Sequence, residues 1–207
     1  MRSVLLAAAL GLVVLGASAQ GQPPTATTGS PHAVAVFAGG CFWCVEPPFD
    51  RLEGVVSTTS GYTGGSVADP TYAQVSAGSS GHIEAVRIVY DPRKVSYERL
   101  LETFWRNIDP VDVGGQFCDR GAQYRSAIFA QGDGQKSVAE ASKRKLAESG
   151  LLKQPVATEI LPATTFYPAE DYHQDYYLRN PVRYKYYRWN CGRDQRLGEL
   201  WGNAPTQ

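Results

Sequence analysis

One stretch constrains this chain more than any other. The apolar run Ala33-Val34-Ala35-Val36-Phe37-Ala38 leads directly into Gly39-Gly40-Cys41-Phe42-Trp43-Cys44-Val45-Glu46. An unbroken apolar run that ends at glycines reads as a buried strand. Val45, Phe49 and Leu52 then fall at helical spacing. Glycines at such a junction let the backbone turn tightly. The chain is therefore expected to bury a strand and start a helix from its end, with Cys41 at or just before the helix N-terminus. Free N–H groups and the helix dipole favour an anion there, so Cys41 is expected to ionise readily, and the thiolate is the nucleophilic form. Phe42 and Trp43 can wall an apolar pocket beside it. Cys44 lies three positions on, on the same helical face, where it could close a disulfide with Cys41. Pro47 and Pro48 each remove a helix hydrogen bond, so the helix is expected to start later or to kink there. A structural disulfide, or half of a zinc site, would use the same Cys-x-x-Cys spacing.

The 207 residues suffice for one domain with a real core. Twenty basic residues balance twenty acidic ones, which gives no general attraction to nucleic acid or to an anionic membrane. Arg183, Lys185 and Arg188 do interleave with Tyr184, Tyr186, Tyr187 and Trp189, a mixture that could hold single-stranded nucleic acid. Charge balance and an export signal favour instead a packed aromatic edge with solvated basic tips. That signal is Arg2, the apolar segment 4–15 and the cleavage pattern Ala17-Ser18-Ala19. Residues 1–19 are therefore expected to be a signal peptide. Residues 20–31, polar and rich in Pro and Thr, read as a flexible lead-in. With no second hydrophobic span, no stable membrane association is expected after cleavage. The four cysteines would then meet an oxidising compartment.

Strands are expected over 55–62, 82–90, 124–130 and 156–161, and helices over 96–108, 135–149, 169–179 and 193–201, with one helical turn at 70–75. Ser96 offers an N-cap, and Leu100, Leu101, Phe104, Trp105 and Ile108 keep helical spacing. Residues 113–123 read as a loop. The pattern predicts an α+β fold: a single-domain two-layer sandwich with a mixed sheet and flanking helices.

In the strand from His82, alternation puts Glu84 on one face with Val86, Ile88 and Tyr90. A carboxylate among apolar neighbours is disfavoured as an anion, so this group could act as a general acid near neutral pH. A solvated glutamate at a strand end is the plainer alternative. The loop from Gly114 to Ser126 carries Asp119, Tyr124 and two arginines. Cys118 and Cys191 stand alone in sequence, and a disulfide between them is one outcome of export. A zinc site usually offers two close ligand pairs, and only Cys41/Cys44 is such a pair here. No metal is expected.

Five motifs in order give the chain a resemblance. They are Gly40-Cys41-Phe42-Trp43, Pro70-Thr71-Tyr72, Gly81-His82-Ile83-Glu84-Ala85-Val86, Asp119-x-Gly121-x-Gln123-Tyr124-Arg125-Ser126 and Ala169-Glu170-x-Tyr172-His173-Gln174. Together they resemble the A-type peptide-methionine sulfoxide reductases, the class acting on the S epimer at sulfur, over about residues 33–202, and the domain is expected to span 32–207. The resemblance implies an α+β sandwich rather than a thioredoxin fold. It implies Cys41 as nucleophile and Glu84 as proton donor, with Tyr72 and Tyr124 hydrogen-bonding the sulfoxide oxygen. It implies Phe42 and Trp43 around the substrate methyl group, and Asp119 orienting the substrate. It implies no metal or organic cofactor, oxidised proteins or peptides as substrates, and an external dithiol reductant such as a thioredoxin-like protein. The chain departs from the common pattern where many members have Gly in place of Cys44, Asn in place of Cys118 and Thr in place of Ala122. Cys44 is the favoured resolving thiol, with Cys191 an alternative, and Cys118 and Cys191 could form a relay or a structural bond. A monomer exported to a periplasm is expected. The competing function is a general Cys-x-x-Cys thiol-disulfide oxidoreductase, in which Glu84 and the two tyrosines have no task.

Overall fold

The computed structural model describes residues 31–202. The expected signal peptide and almost all of the lead-in lie outside them. In chain order the main elements are β1 (Ala33–Gly39), α1 (Phe42–Asp50), β2 (Val55–Thr63), α2 (Tyr72–Ser76), β3 (Ile83–Tyr90), α3 (Tyr97–Arg106), β4 (Gly115–Gln116), β5 (Asp119–Arg120), β6 (Ser126–Ala130), α4 (Asp133–Glu148), β7 (Glu159–Pro162), β8 (Tyr167–Pro168), α5 (Tyr176–Arg179), α6 (Pro181–Asn190) and α7 (Arg193–Trp201). Six strands form one sheet in the order β7-β6-β1-β3-β2-β8. All pairs are antiparallel except β6 with β7. The sheet is thus mixed, as the sequence leads one to expect.

Period-two alternation assigns the two faces. Ala35 and Phe37 of β1, Val86 and Ile88 of β3 and Ile128 of β6 meet Val45 and Phe49 of α1, Leu100, Leu101 and Phe104 of α3, and Ala139 of α4 in the main core. Phe37 stacks on Phe104 with ring centroids 4.9 Å apart. Full burial of each such ring contributes roughly 2–3 kcal/mol. Val36, Ala38, Ile83, Ala85, Ala127 and Phe129 make a smaller core on the opposite face, against Phe166. The helices of the main core therefore form one layer and the sheet the other.

Several local expectations are corrected. The helix α1 starts at Phe42 and continues through both Pro47 and Pro48. They deprive the Trp43 and Cys44 carbonyls of their helical N–H partners, but burial of Val45, Pro47 and Phe49 against the sheet holds the segment helical. Tyr124 lies in a 3-10 turn, Ala122–Tyr124, and not in a strand. Gly121 has φ +123°, and the Gln123 side chain donates to the Ser76 carbonyl at 2.9 Å, so the chain is still turning there. The expected helix over 169–179 is broken into a 3-10 turn and the short α5. The Gln174 side chain explains the break. Its amide bonds both the N–H and the carbonyl of Ser60, each at 2.9 Å, and so takes the place of a strand partner beside β2. β7 begins at Glu159 rather than at residue 156. The loop 113–123 contains the small β4–β5 hairpin.

α1 also carries a buried acid, Glu46, whose carboxyl lies within 4.8 Å of those of Asp50 and Asp175. Burial, then repulsion by Asp50 and Asp175, pushes its pKa up to about 8 from 4.5. The folded chain thus holds a proton that the unfolded chain releases, and stability falls as pH rises from about 4.5 to about 8. Glu46→Gln is expected to flatten that fall. In urea unfolding followed at several pH values, the variant should gain on the parent by roughly 1–3 kcal/mol between acid and pH above 8. A difference that does not change with pH would contradict the burial of a neutral acid here.

Candidate active site

Gly40 turns the chain out of β1 with φ +83°. A Cβ there would meet Gln116 Cβ at 2.6 Å, so both the conformation and the close approach require glycine. Gln116 is fixed in turn, since its side-chain amide accepts from Asp109 N at 2.8 Å and donates to the Asp109 carbonyl at 2.7 Å. Cys41 is the residue that caps the start of α1 and is 7% exposed. Its position is the expected one, but its ionisation is not. The Cys41 N–H is given to Asp119, and the Phe42 N–H donates to Glu84 Oε2 at 3.0 Å. Two carboxyl groups thus take the amides that the sequence suggested would serve the sulfur. Burial first, then its hydrogen bond with Cys44 and the charge of Glu84, pushes the Cys41 thiol well up. Cys44 is brought down to about 7, chiefly by the hydrogen bond from Cys41, with help from Arg193 and Arg188 and against burial. The pair therefore loses its first proton as pH rises through about 7, and the charge rests on Cys44.

Glu84 faces the helix layer with Val86 and Ile88, as alternation suggests, and is 1% exposed. It stands opposite Tyr62 of β2. Burial outweighs the hydrogen bond from Phe42 and pushes the carboxyl up to about 8. Near neutral pH it is an un-ionised acid at the mouth of a helix. Tyr72 begins α2, which Thr71 and Gln74 close with a reciprocal capping box. The Tyr72 N–H donates to Glu170 Oε1 at 2.9 Å, and Glu170 Oε2 accepts from Tyr62 at 2.8 Å. Burial, then the charges of Glu84 and Cys41, pushes the Tyr72 phenol up to about 12. Tyr124 is raised too, by burial, Glu84, Tyr72, Asp119 and Cys41 in that order. Both phenols stay protonated donors around Glu84 and Cys41.

Asp119 accepts from Tyr187 Oη at 2.7 Å with each carboxylate oxygen, and burial raises its pKa. Beside it Cys118 and Cys191 form a disulfide, with Cys191 Sγ 3.9 Å from Asp119 Oδ2, while Cys41 and Cys44 are free thiols. Phe42 is buried against Tyr62 and His173. Trp43 is only partly buried, stacks on Tyr176 at 3.7 Å and donates from Nε1 to His173 Nδ1 at 3.0 Å. Every predicted site residue thus lies on the β1–α1 turn or on the elements packed around it. Sequence reasoning missed Tyr187, Arg193, Glu170 and His173 as parts of the site. The last two sit in a motif that carries the resemblance, and Tyr187 stands one helical turn before Cys191. A cleft of about 1040 Å³ between α3, α4 and α7 contains none of these residues.

A thiol pair that holds one negative charge, a neutral buried carboxylic acid, two phenols and an aromatic wall can attack a soft electrophilic centre while protonating an oxygen beside it. Comparison with known proteins agrees with that chemistry. The family profile described as "Peptide methionine sulfoxide reductase" matches residues 33–204. A peptide methionine sulfoxide reductase MsrA of Bacillus licheniformis is 54% identical over 169 residues, covering 82% of this chain and 93% of that protein. Mxr1 from Saccharomyces cerevisiae, solved in reduced form, superposes with TM-score 0.69 at 29% identity over 73% of this chain and 87% of its own. The same yeast protein has been solved in complex with Trx2, at TM-score 0.50 and 22% identity over 70% and 84% of the two chains, a likeness of fold. A family match across the whole described domain, together with a relative sharing half its residues, shows that the chain belongs to the peptide methionine sulfoxide reductase family.

Proposed function

We propose that this protein reduces the S epimer of methionine sulfoxide in oxidised peptides and proteins, with Cys41 as nucleophile and Glu84 as acid. The observation that carries the reading is the neutral, buried Glu84 held at the start of the helix that Cys41 caps. A sulfoxide oxygen leaves only when protonated, and Glu84 with Tyr72 and Tyr124 supplies the hydrogen bonds where charge develops. Trp43, with the edge of Phe42, receives the methyl group, and Asp119 orients the substrate. The proton shared by the two sulfurs moves to Cys44, and the Cys41 thiolate attacks the sulfoxide sulfur. Glu84 protonates the oxygen, the hydroxyl passes from the substrate sulfur to the Cys41 sulfur as the bond between the two sulfurs breaks, and methionine leaves as its thioether with Cys41 now a sulfenic acid. Cys44 then attacks Cys41, the S–O bond breaks, and the oxygen departs as water.

Cys44 is the resolving thiol in this scheme because it is free and hydrogen-bonded to Cys41, whereas Cys191 is bonded to Cys118. The Cys118–Cys191 bond then serves as a clasp beside Asp119. An external thioredoxin-like dithiol reduces the Cys41–Cys44 bond; a yeast relative solved with Trx2 supports such a donor. No step calls for a metal or an organic cofactor. The leader pattern in residues 1–19 supports export, with the periplasm as the working compartment. One equivalent of peptide sulfoxide, given to reduced-pair enzyme without reductant, tests the assignment. Peptide mapping is expected to find one Cys41–Cys44 bond per methionine formed and an unchanged Cys118–Cys191 bond. A Cys41–Cys191 bond would overturn Cys44 as resolver.

A further inference from the structure

His173 ends the 3-10 turn Asp171–His173 and is 1% exposed. Anchors on both sides hold that turn against β2. Before it, Glu170 accepts from the Tyr62 hydroxyl at 2.8 Å and from the Tyr72 N–H at 2.9 Å. After it, the Gln174 amide bonds both backbone groups of Ser60. The imidazole lies against the rings of Tyr172, Tyr72 and Phe42, with centroids 4.2, 4.5 and 5.0 Å away. Its Nδ1 accepts the Trp43 indole N–H at 3.0 Å. An indole nitrogen only donates, so Nδ1 carries no proton and the ring proton sits on Nε2. Nε2 is buried without a hydrogen-bond partner among the described residues, and Glu170 Oε2 lies 4.0 Å from it. The one hydrogen bond that this imidazole makes is thus spent on Trp43.

Trp43 is held on two other sides. One face of the indole stacks on Tyr176, with centroids 3.7 Å apart and planes 5° from parallel, and Tyr187 stands nearly perpendicular to it at 5.7 Å. Stacking fixes the plane of the ring but leaves it able to slide and pivot within that plane. A directional N–H bond stops that motion. With one face on Tyr176, the other face is the one that can meet a substrate.

We propose that His173 is a positioning residue for substrate binding: set in place by Glu170 and Gln174, its Nδ1 locks the Trp43 indole, and the locked wall selects a methyl group over a larger substituent on the sulfoxide sulfur. The assignment rests on the reductase reading, in which Trp43 receives the methyl group.

Two variants separate a hydrogen-bond role from plain packing. His173→Phe keeps a ring against Tyr72 and Phe42 and removes the acceptor. His173→Asn gives up the ring and keeps an acceptor near the place of Nδ1. With a peptide methionine sulfoxide, His173→Phe is expected to raise KM by about tenfold and to change kcat by less than about threefold, because the wall meets ground state and transition state alike. The preference for methionine sulfoxide over ethionine sulfoxide in kcat/KM is expected to fall by about fivefold. His173→Asn should recover most of the loss, and His173→Phe added to Trp43→Phe should have no further effect. A folded His173→Phe protein with the parent's KM, or a His173→Asn protein worse than it, would overturn the proposal. If His173→Phe does not fold, the parent still decides by nitrogen NMR of its histidines. The His173 ring is expected to carry its proton on Nε2, and a proton on Nδ1 would overturn the proposal. Absence of sulfoxide turnover in the parent would strike the reductase reading, while the spectrum would still show whether His173 accepts from Trp43.

Discussion

Cys41→Ser is expected to abolish methionine sulfoxide reduction, on the order of 10⁴-fold or more in kcat/KM. A serine hydroxyl is not ionised near neutral pH and is a poor nucleophile toward sulfur. The expectation is of chemistry lost from an intact fold. Cys41 caps α1 without a side-chain capping bond, and the bonds that hold the turn are its backbone N–H to Asp119 and the Phe42 N–H to Glu84. Serine leaves all of them in place. Thermal unfolding should therefore move little while turnover disappears. Cys44→Ser should behave differently, forming one equivalent of methionine per enzyme and then stopping with Cys41 as a sulfenic acid that a dimedone-type reagent labels. A Cys41→Ser protein that still turned over would assign the nucleophile elsewhere.

Glu84→Gln is expected to lower kcat by about 10²- to 10⁴-fold, the usual worth of a positioned general acid. The amide keeps the shape and can still accept from the Phe42 N–H, so the start of α1 is preserved. The pH profile carries the sharper signature. The thiol pair loses its first proton as pH rises through about 7. Glu84 loses its own as pH rises through about 8. The active form, one thiolate beside one neutral acid, is therefore most populated between about 7 and 8. Glu84→Gln should keep the rise near 7 and lose the fall above 8. A falling limb that persists in the variant would show that another group sets it. Retained disulfide exchange in Glu84→Gln, alongside no sulfoxide turnover in the parent, would favour the general thiol-disulfide oxidoreductase.

The sequence discloses the scaffold of the site better than its electrostatics. β1, the turn and α1 follow from an apolar run, two glycines and three spaced apolar residues, because short-range pattern and backbone freedom dictate them. Glu84 is legible because strand alternation assigns its face. The state of Cys41 is not legible. Helix position alone favours its ionisation, but the amides go to Glu84 and Asp119, from β3 and β5, and no local pattern announces those partners. Tyr187 and Arg193 reach the site from α6 and α7, so only the tertiary fold brings them there. The broken segment 169–179 has the same cause: Gln174 bonds to Ser60 across more than a hundred residues, and that contact overrides helical propensity.

The most direct measurement is turnover of a peptide methionine sulfoxide with dithiothreitol, the two sulfur epimers resolved by chromatography and Cys41→Ser run alongside. Consumption of the S epimer alone is expected, with methionine formed in equal amount and nothing consumed by the variant. Consumption of neither epimer by folded, reduced protein would contradict it.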